Sequence, residues 1–289
     1  MKRKSLYLMY FLLASVLLVT ACSSGEQQSS EANAADVSES KEPGGNQSKE
    51  NEKPQNEELT NEDIEKAFEH YFNANKEGNW DWVYTSSSEK LRNLLGQTKE
   101  EFIKQQEEII FINNVTFNDY LIKNVENIDS SIKKVVLIVK GDNNNGPFTN
   151  ESIIYYVNED NKWKFDTIGI LEVKPYDFYV ENEGYYKFEN MKQVKTVKGM
   201  AFMADITNLS ADRFQVGWSM NGSATFKSAD SEKEVPLAFR IEPGQVSKNY
   251  IIQSDLEGGD LQSITFHDVF FGLGSPTEFS IDLTGENVE

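Results

Sequence analysis

Between Leu59 and Ile110 the apolar residues recur every three or four positions, and from Val115 onward they recur every second position. That switch of period allows helices first and strands afterwards. Thr60 suits an N-cap, Asp63 stands at N3 as a short capping-box partner, and Leu59 with Ile64 has the spacing of a hydrophobic staple. Ile64, Ala67, Phe68, Tyr71 and Phe72 form one stripe, which Gly78 ends. A second, broken helical stretch ends at Gly96, and the Thr98–Glu101 capping box opens a third carrying Phe102, Ile103, Ile109 and Ile110. Strands are expected over 115–125, 132–140, 152–158 and 162–168, the last two joined by a tight turn at Asp160-Asn161. The expected fold of residues 59–172 is therefore α+β: three helices covering one face of a curved antiparallel sheet.

Residues 176–285 carry only the strand period. Met200, Phe202, Ala204 and Ile206 alternate, as do Phe214, Val216, Trp218 and Met220, then Val235, Leu237, Phe239 and Ile241, with Ile264 and Phe266 and finally Phe279, Ile281 and Leu283. Turns are expected at "TNLSAD", "MNGS", "EPGQ", "LEGGD" and "GSPT". Six or seven short strands of this kind predict an all-β antiparallel sandwich, with Pro236 at an edge or a strand start.

Ahead of both units, Lys2, Arg3 and Lys4 precede an uncharged run in which Leu6 to Val19 would make a helix of about 21 Å, short of the roughly 30 Å of a bilayer core. Residues 1–21 thus read as a signal peptide. Val19-Thr20-Ala21-Cys22 resembles the lipobox of bacterial lipoproteins. The resemblance implies cleavage between Ala21 and Cys22 and a diacylglyceryl group on the Cys22 sulfur, whose two chains hold a bilayer where one would not. Cys22 is the only cysteine, so no disulfide can form within the chain, and a metal site would have to draw on only two histidines, His70 and His267. From Ser23 to Glu58 there is no aromatic, and Val37 is the sole large aliphatic. With lipidated Cys22 this stretch, 22–58, reads as a disordered tether spanning about 33 Å root-mean-square.

Asp and Glu number 47 against 28 Lys and Arg, a net charge of −19; loss of the three leader cations makes it −22. That balance disfavours nucleic acid and anionic partners in general.

The order of elements in 59–172, the "NWDWVYTSSS" stretch and the "EDNKWKF" hairpin resemble the nuclear transport factor 2-like (cystatin-like) superfamily, although Asn161 stands where the final turn usually has glycine. The resemblance implies a cone whose mouth could hold a small ligand; Trp80, Trp82 and Tyr84 are possible lining residues for it, although aromatics at such positions are more often simply core. Some members are isomerases or dehydratases using Asp and His, but His70 is the only histidine of this unit and borders the apolar stripe. "ITNLS" and "IEPGQVSKNYII" resemble immunoglobulin-like domains of bacterial exported proteins. "GDNNNG" at 141–146 lacks EF-hand spacing and reads as a polar turn. The expected function is a non-catalytic envelope lipoprotein, without cofactor or metal. It would be bound to the lipid bilayer through Cys22 and present two units to another envelope protein or a small ligand. An isomerase or hydrolase working in the 59–172 cavity is the alternative.

Overall fold

A computed structural model describes residues 59–217 and 222–285. Ala21, Cys22 and the expected signal peptide and tether, together with Trp218 and Met220, lie outside the described residues.

Four helices come first: α1 (Asn61–Glu77), α2 (Trp80–Ser86), α3 (Glu89–Leu95) and α4 (Lys99–Asn113). Thr60 and Thr98 both close capping boxes: each hydroxyl accepts from the N3 backbone, while the Asp63 or Glu101 carboxylate accepts from the cap backbone. Gly78 and Gly96 end α1 and α3 with left-handed φ of 71° and 61°. The chain breaks between α2 and α3 because Ser87 and Ser88 are extended. Ser88 donates its N–H to the Phe165 carbonyl at 2.8 Å, and its hydroxyl accepts the Leu91 N–H at 3.0 Å.

Among the described residues fifteen strands follow. The first four, β1 (Thr116–Asn127), β2 (Ile132–Asn143), β3 (Gly146–Glu159) and β4 (Lys162–Asp166), form an antiparallel meander in sequence order. Asp160 and Asn161 turn its last hairpin with φ of 50° and 62°. The rest of the chain contributes β5 (Ile170–Pro175), β6 (Val180–Asn182), β7 (Tyr186–Thr196), β8 (Gly199–Asn208), β9 (Phe214–Val216), β10 (Ser223–Ser228), β11 (Glu232–Pro236), β12 (Phe239–Ile241), β13 (Val246–Gln253), β14 (Leu261–Phe271) and β15 (Thr277–Asp282). One sheet runs β13-β8-β7-β5 with β6 on β7; the other runs β11-β10-β14-β9-β12 with β15 on β14. Their facing sides form a sandwich core in which Phe188, Phe202, Phe214, Phe226 and Phe266 are fully buried. Pro236 ends β11, an edge strand, where its missing N–H breaks no central ladder.

The expected three-helix, cone-like α+β unit is not what the chain forms. The described residues are mostly antiparallel strand in three sheets, with four short helices. Two physical reasons account for the difference. The serine pair Ser87-Ser88 caps rather than continues the second helical stretch, so it becomes α2 and α3. The leucines of α3 then turn away from the meander: Leu91, Leu94 and Leu95 pack on Val194, Ala201, Met203 and Ile251 of the sandwich sheet. Nor does α4 close a cone, since Phe102 and Gln106 are its only fully buried residues and its main neighbour is α2. Only α1, with Ile64 and Phe68, lays a broad stripe on the meander, against Val135, Ile154, Tyr156 and Phe165.

The meander's other face meets the sandwich where Ile132, Tyr155 and Val157 pack on Val197, in the β7–β8 turn. Among the described residues no helix is long and apolar enough to cross a membrane.

Candidate functional site

Trp80, Trp82 and Tyr84, the possible pocket lining, have three different surroundings. Trp80 is buried with Ala74, Val83 and Phe102 between α1, α2 and α4. Trp82 stacks on His70, ring centroids 4.2 Å apart, and tilts against Phe165. Tyr84 donates its hydroxyl to the Gln97 carbonyl at 3.1 Å and lines a recess of about 10 Å³ with Leu91, Arg92 and Phe102, room for no more than a water.

A larger concavity forms where α3 meets the sandwich. Its architecture begins with two irregularities in strand pairing. The β7–β8 register slips between Glu189 and Lys192, and the β13–β8 register slips between Ser247 and Tyr250. Each slip contains an asparagine at positive φ, Asn190 and Asn249, both at 51°. Asparagine tolerates that conformation better than other side-chain-bearing residues, and a bulge built on it re-aims its neighbours. The two bulges flank Asp205 on β8. Its carboxylate accepts the Asn249 N–H at 2.7 Å and the Asn190 side-chain amide at 2.9 Å.

On the other side the bulges reach α3. Asn249 donates its side-chain amide to the Leu95 carbonyl at 2.8 Å, and the Lys192 ammonium donates to the Leu94 carbonyl at 3.0 Å. Carbonyls at a helix C-terminus have no intrahelical partner and carry partial negative charge, so a cation and an amide donor satisfy them. The N-terminal end of α3 is held as firmly. Asp166 is fully buried, and its carboxylate accepts the N–H groups of Ile168, Gly169 and Ile170 at 2.9, 2.8 and 3.3 Å and the Ser88 hydroxyl at 2.9 Å. Burial pushes the Asp166 carboxyl above its ordinary range, against the downward pull of those donors. Gly169 is required beside it: at φ 72°, a Cβ would stand 2.7 Å from the Tyr155 ring.

The resulting cleft has a volume of about 580 Å³ and includes Glu101, Tyr176, Asp177, Lys192, Asp205 and Lys248 in its lining. Pockets for small ligands run from about 300 to 1,000 Å³. Of its carboxylates, Asp205 is committed to the two asparagines and Glu101 to its capping box, whose Thr98 donors hold the Glu101 pKa below the usual carboxylate range. Lys192 is half-buried, and burial pulls its ammonium below the ordinary lysine pKa while Asp205 opposes the shift. Among the described residues no carboxylate lies within salt-bridge distance of Lys192.

A second polar array sits on the outer face of the other sandwich sheet. His267 Nδ1 lies 2.6 Å from the Glu278 carboxylate and His267 Nε2 lies 2.8 Å from the Thr225 hydroxyl. The carboxylate can only accept, so Nδ1 carries a proton, and the Thr225 hydroxyl, which can donate or accept, partners Nε2 in either ring state. The order of groups is that of a nucleophilic triad, yet Thr225 lies mid-strand in β10, where both neighbours pair with it and consume the backbone N–H groups an oxyanion would need. The strand period sets His267 on the face opposite Ile264 and Phe266 but does not announce these partners, because they come from two other strands. Among the described residues no group of three or more His, Cys, Asp and Glu side chains is placed to hold a metal ion.

No protein-family model and no curated protein matches this chain.

Proposed function

We propose that this chain is a non-catalytic lipoprotein of the cell envelope, anchored to the outer side of the cell membrane by diacylglyceryl-Cys22 and serving as a tethered binding module for an envelope protein or a small ligand. The observation that carries the reading is the order of residues 1–22: three cations, an uncharged apolar run too short to span, then Val19-Thr20-Ala21-Cys22. The 23–58 segment supports it, since a polar stretch without aromatics gives the folded part a reach of about 33 Å from a bilayer.

The non-catalytic part of the proposal draws on the interior of the N-terminal unit. The helix-facing side of the meander is filled by Ile64, Phe68, Tyr156 and Phe165, and the Asp166 carboxylate is already engaged by four donors. Neither arrangement leaves a reacting group facing a substrate-sized space. The cleft beside Lys192 is the place where such a module would take a ligand.

The test is fractionation of cells expressing the wild-type chain and Cys22→Ala. The wild type should partition with membranes and show a mass consistent with an acylated N-terminal cysteine, whereas the variant should be released or keep its leader. A processed variant that stays with the membrane overturns the lipid anchor.

A further inference from the structure

The geometry points to the cleft between the last turn of α3 and the bulges of β7 and β13 as a binding site for a small zwitterion, an amino acid or short peptide, whose free carboxylate sits on the Lys192 ammonium. This deepens the binding-module reading and does not depend on the acylation of Cys22.

Three observations converge. The first is an incomplete ion pair. An ammonium has three N–H donors, and at Lys192 one of them goes to the Leu94 carbonyl. The cation is half-buried, its burial disfavours the charged form, and no described carboxylate pairs with it. A partly buried charge is stabilised by a direct counter-ion, and a carboxylate entering the cleft supplies one.

The second observation is that the nearest protein anion is held elsewhere. Asp205 raises the Lys192 pKa through space, yet its oxygens accept from Asn249 and Asn190 rather than from Lys192. The two bulges thus fix Asp205 on neutral donors and leave the ammonium without a salt bridge. A site meant only to neutralise Lys192 would be expected to pair the two directly.

The third is the charge of the rim. Asp177 is exposed and has no cation within salt-bridge distance among the described residues, and Lys248 stands opposite in sign close enough to lower the Glu101 pKa. Glu101, Asp177 and Asp205 against Lys192 and Lys248 leave the lining with one net negative charge, so a multiply charged anion would meet repulsion. A molecule with one carboxylate and one ammonium meets a partner for each, Lys192 and Asp177. The 580 Å³ of the cleft holds a ligand of that size.

The experiment titrates the full chain with dialanine, alanine, dialanine amide, N-acetyl-dialanine and acetate, following heat and the NMR signal of the Lys192 side chain. Dialanine or alanine should shift the Lys192 signal and bind at least about tenfold more tightly than the amide, which has lost the carboxylate, and than acetate, which lacks the ammonium. Whichever of the two binds more tightly tells whether a peptide or a free amino acid is the ligand. Lys192→Met should abolish binding. Because that variant also loses the contact to α3, Asp177→Asn serves as the second: it should weaken dialanine several-fold and leave N-acetyl-dialanine unchanged. Equal affinity for dialanine and its amide, an unmoved Lys192 signal at saturation, or acetate binding as well as dialanine would each overturn the proposal. The titration repeated with Cys22→Ala protein keeps this outcome separate from that of the lipid anchor.

Discussion

The two faces of the β13-β8-β7-β5 sheet are closed in opposite ways. One face meets a whole second sheet and buries a continuous aromatic and aliphatic core, including Phe188, Phe202, Phe214, Phe226 and Phe266. The other is covered at its centre by α3, seven residues long, through Leu91, Leu94 and Leu95. A helix that short has no stability of its own in water. Three buried leucines contribute about 1.5–3 kcal/mol each by transfer, and the position of the helix is set by polar clamps: Ser88 and Asp166 at one end, Lys192 and Asn249 at the other. The broad face holds by buried area, which is non-directional; the narrow face holds by a few directed bonds, and the cleft opens beside them.

The contrast can be broken by truncating each face in turn. Phe266→Ala in the sandwich core should destabilise the protein by about 3–5 kcal/mol and collapse protection from hydrogen exchange throughout the sandwich. Leu94→Ala should remove about 2–5 kcal/mol, with the loss read first in α3 amides while β10 and β14 stay protected. A uniform loss of protection in both variants would mean that the two faces fold as one unit and the contrast fails.

Asp166→Asn sharpens the account of the N-terminal clamp. One carboxylate oxygen becomes an NH₂ facing a backbone donor, so the variant should lose about 1–3 kcal/mol in urea denaturation. Its pH dependence carries more information than its size. A carboxyl whose folded pKa lies above its unfolded value of 3.8 favours folding below that value, and the contribution is lost as pH rises through the folded pKa. The stability gap between wild type and Asp166→Asn should therefore widen as the solution is acidified. A gap that narrows would show that the four donors, not burial, dominate at Asp166.

The smallest effect is expected at the exposed helix starts. Hydrogen bonds from Thr60 and Thr98 lower the pKa values of Asp63 and Glu101 from 3.8 and 4.5. Their contribution to stability is present above those values and is lost as pH falls through the depressed ones, the opposite sign to Asp166. Thr98→Ala should move the Glu101 titration, followed by NMR, only part of the way back up, because the backbone N–H of residue 98 still donates to the carboxylate.

Much of the local structure was legible. Thr60, Thr98, Gly78 and Gly96 mark helix ends through bonds made within a few residues, and Asp160-Asn161 specifies its own turn. The destination of α3 was not. An apolar stripe announces that a helix buries one side without naming the surface that receives it. A signal for that surface was present in β8: Met200, Phe202 and Ala204 point to the sandwich core, yet the alternate residues Ala201 and Met203 are apolar as well, as a strand covered on both faces requires. The cleft left no comparable trace, because it depends on two bulges that add one residue each and bring Asn190, Lys192, Asp205 and Asn249 together from three strands.

Residue order alone determined the helix ends marked by Thr60, Gly78, Gly96 and Thr98, that strands follow, that the later ones alternate into a sandwich, and that the only cysteine follows a short uncharged apolar run; each rests on contacts or periodicities spanning a few residues. Tertiary structure decided which sheet α3 covers, how the strand registers slip around Asp205, and hence that Lys192 faces a cleft without a counter-ion. Those outcomes depend on which distant surfaces meet, and packing chooses among partners that local chemistry leaves equivalent.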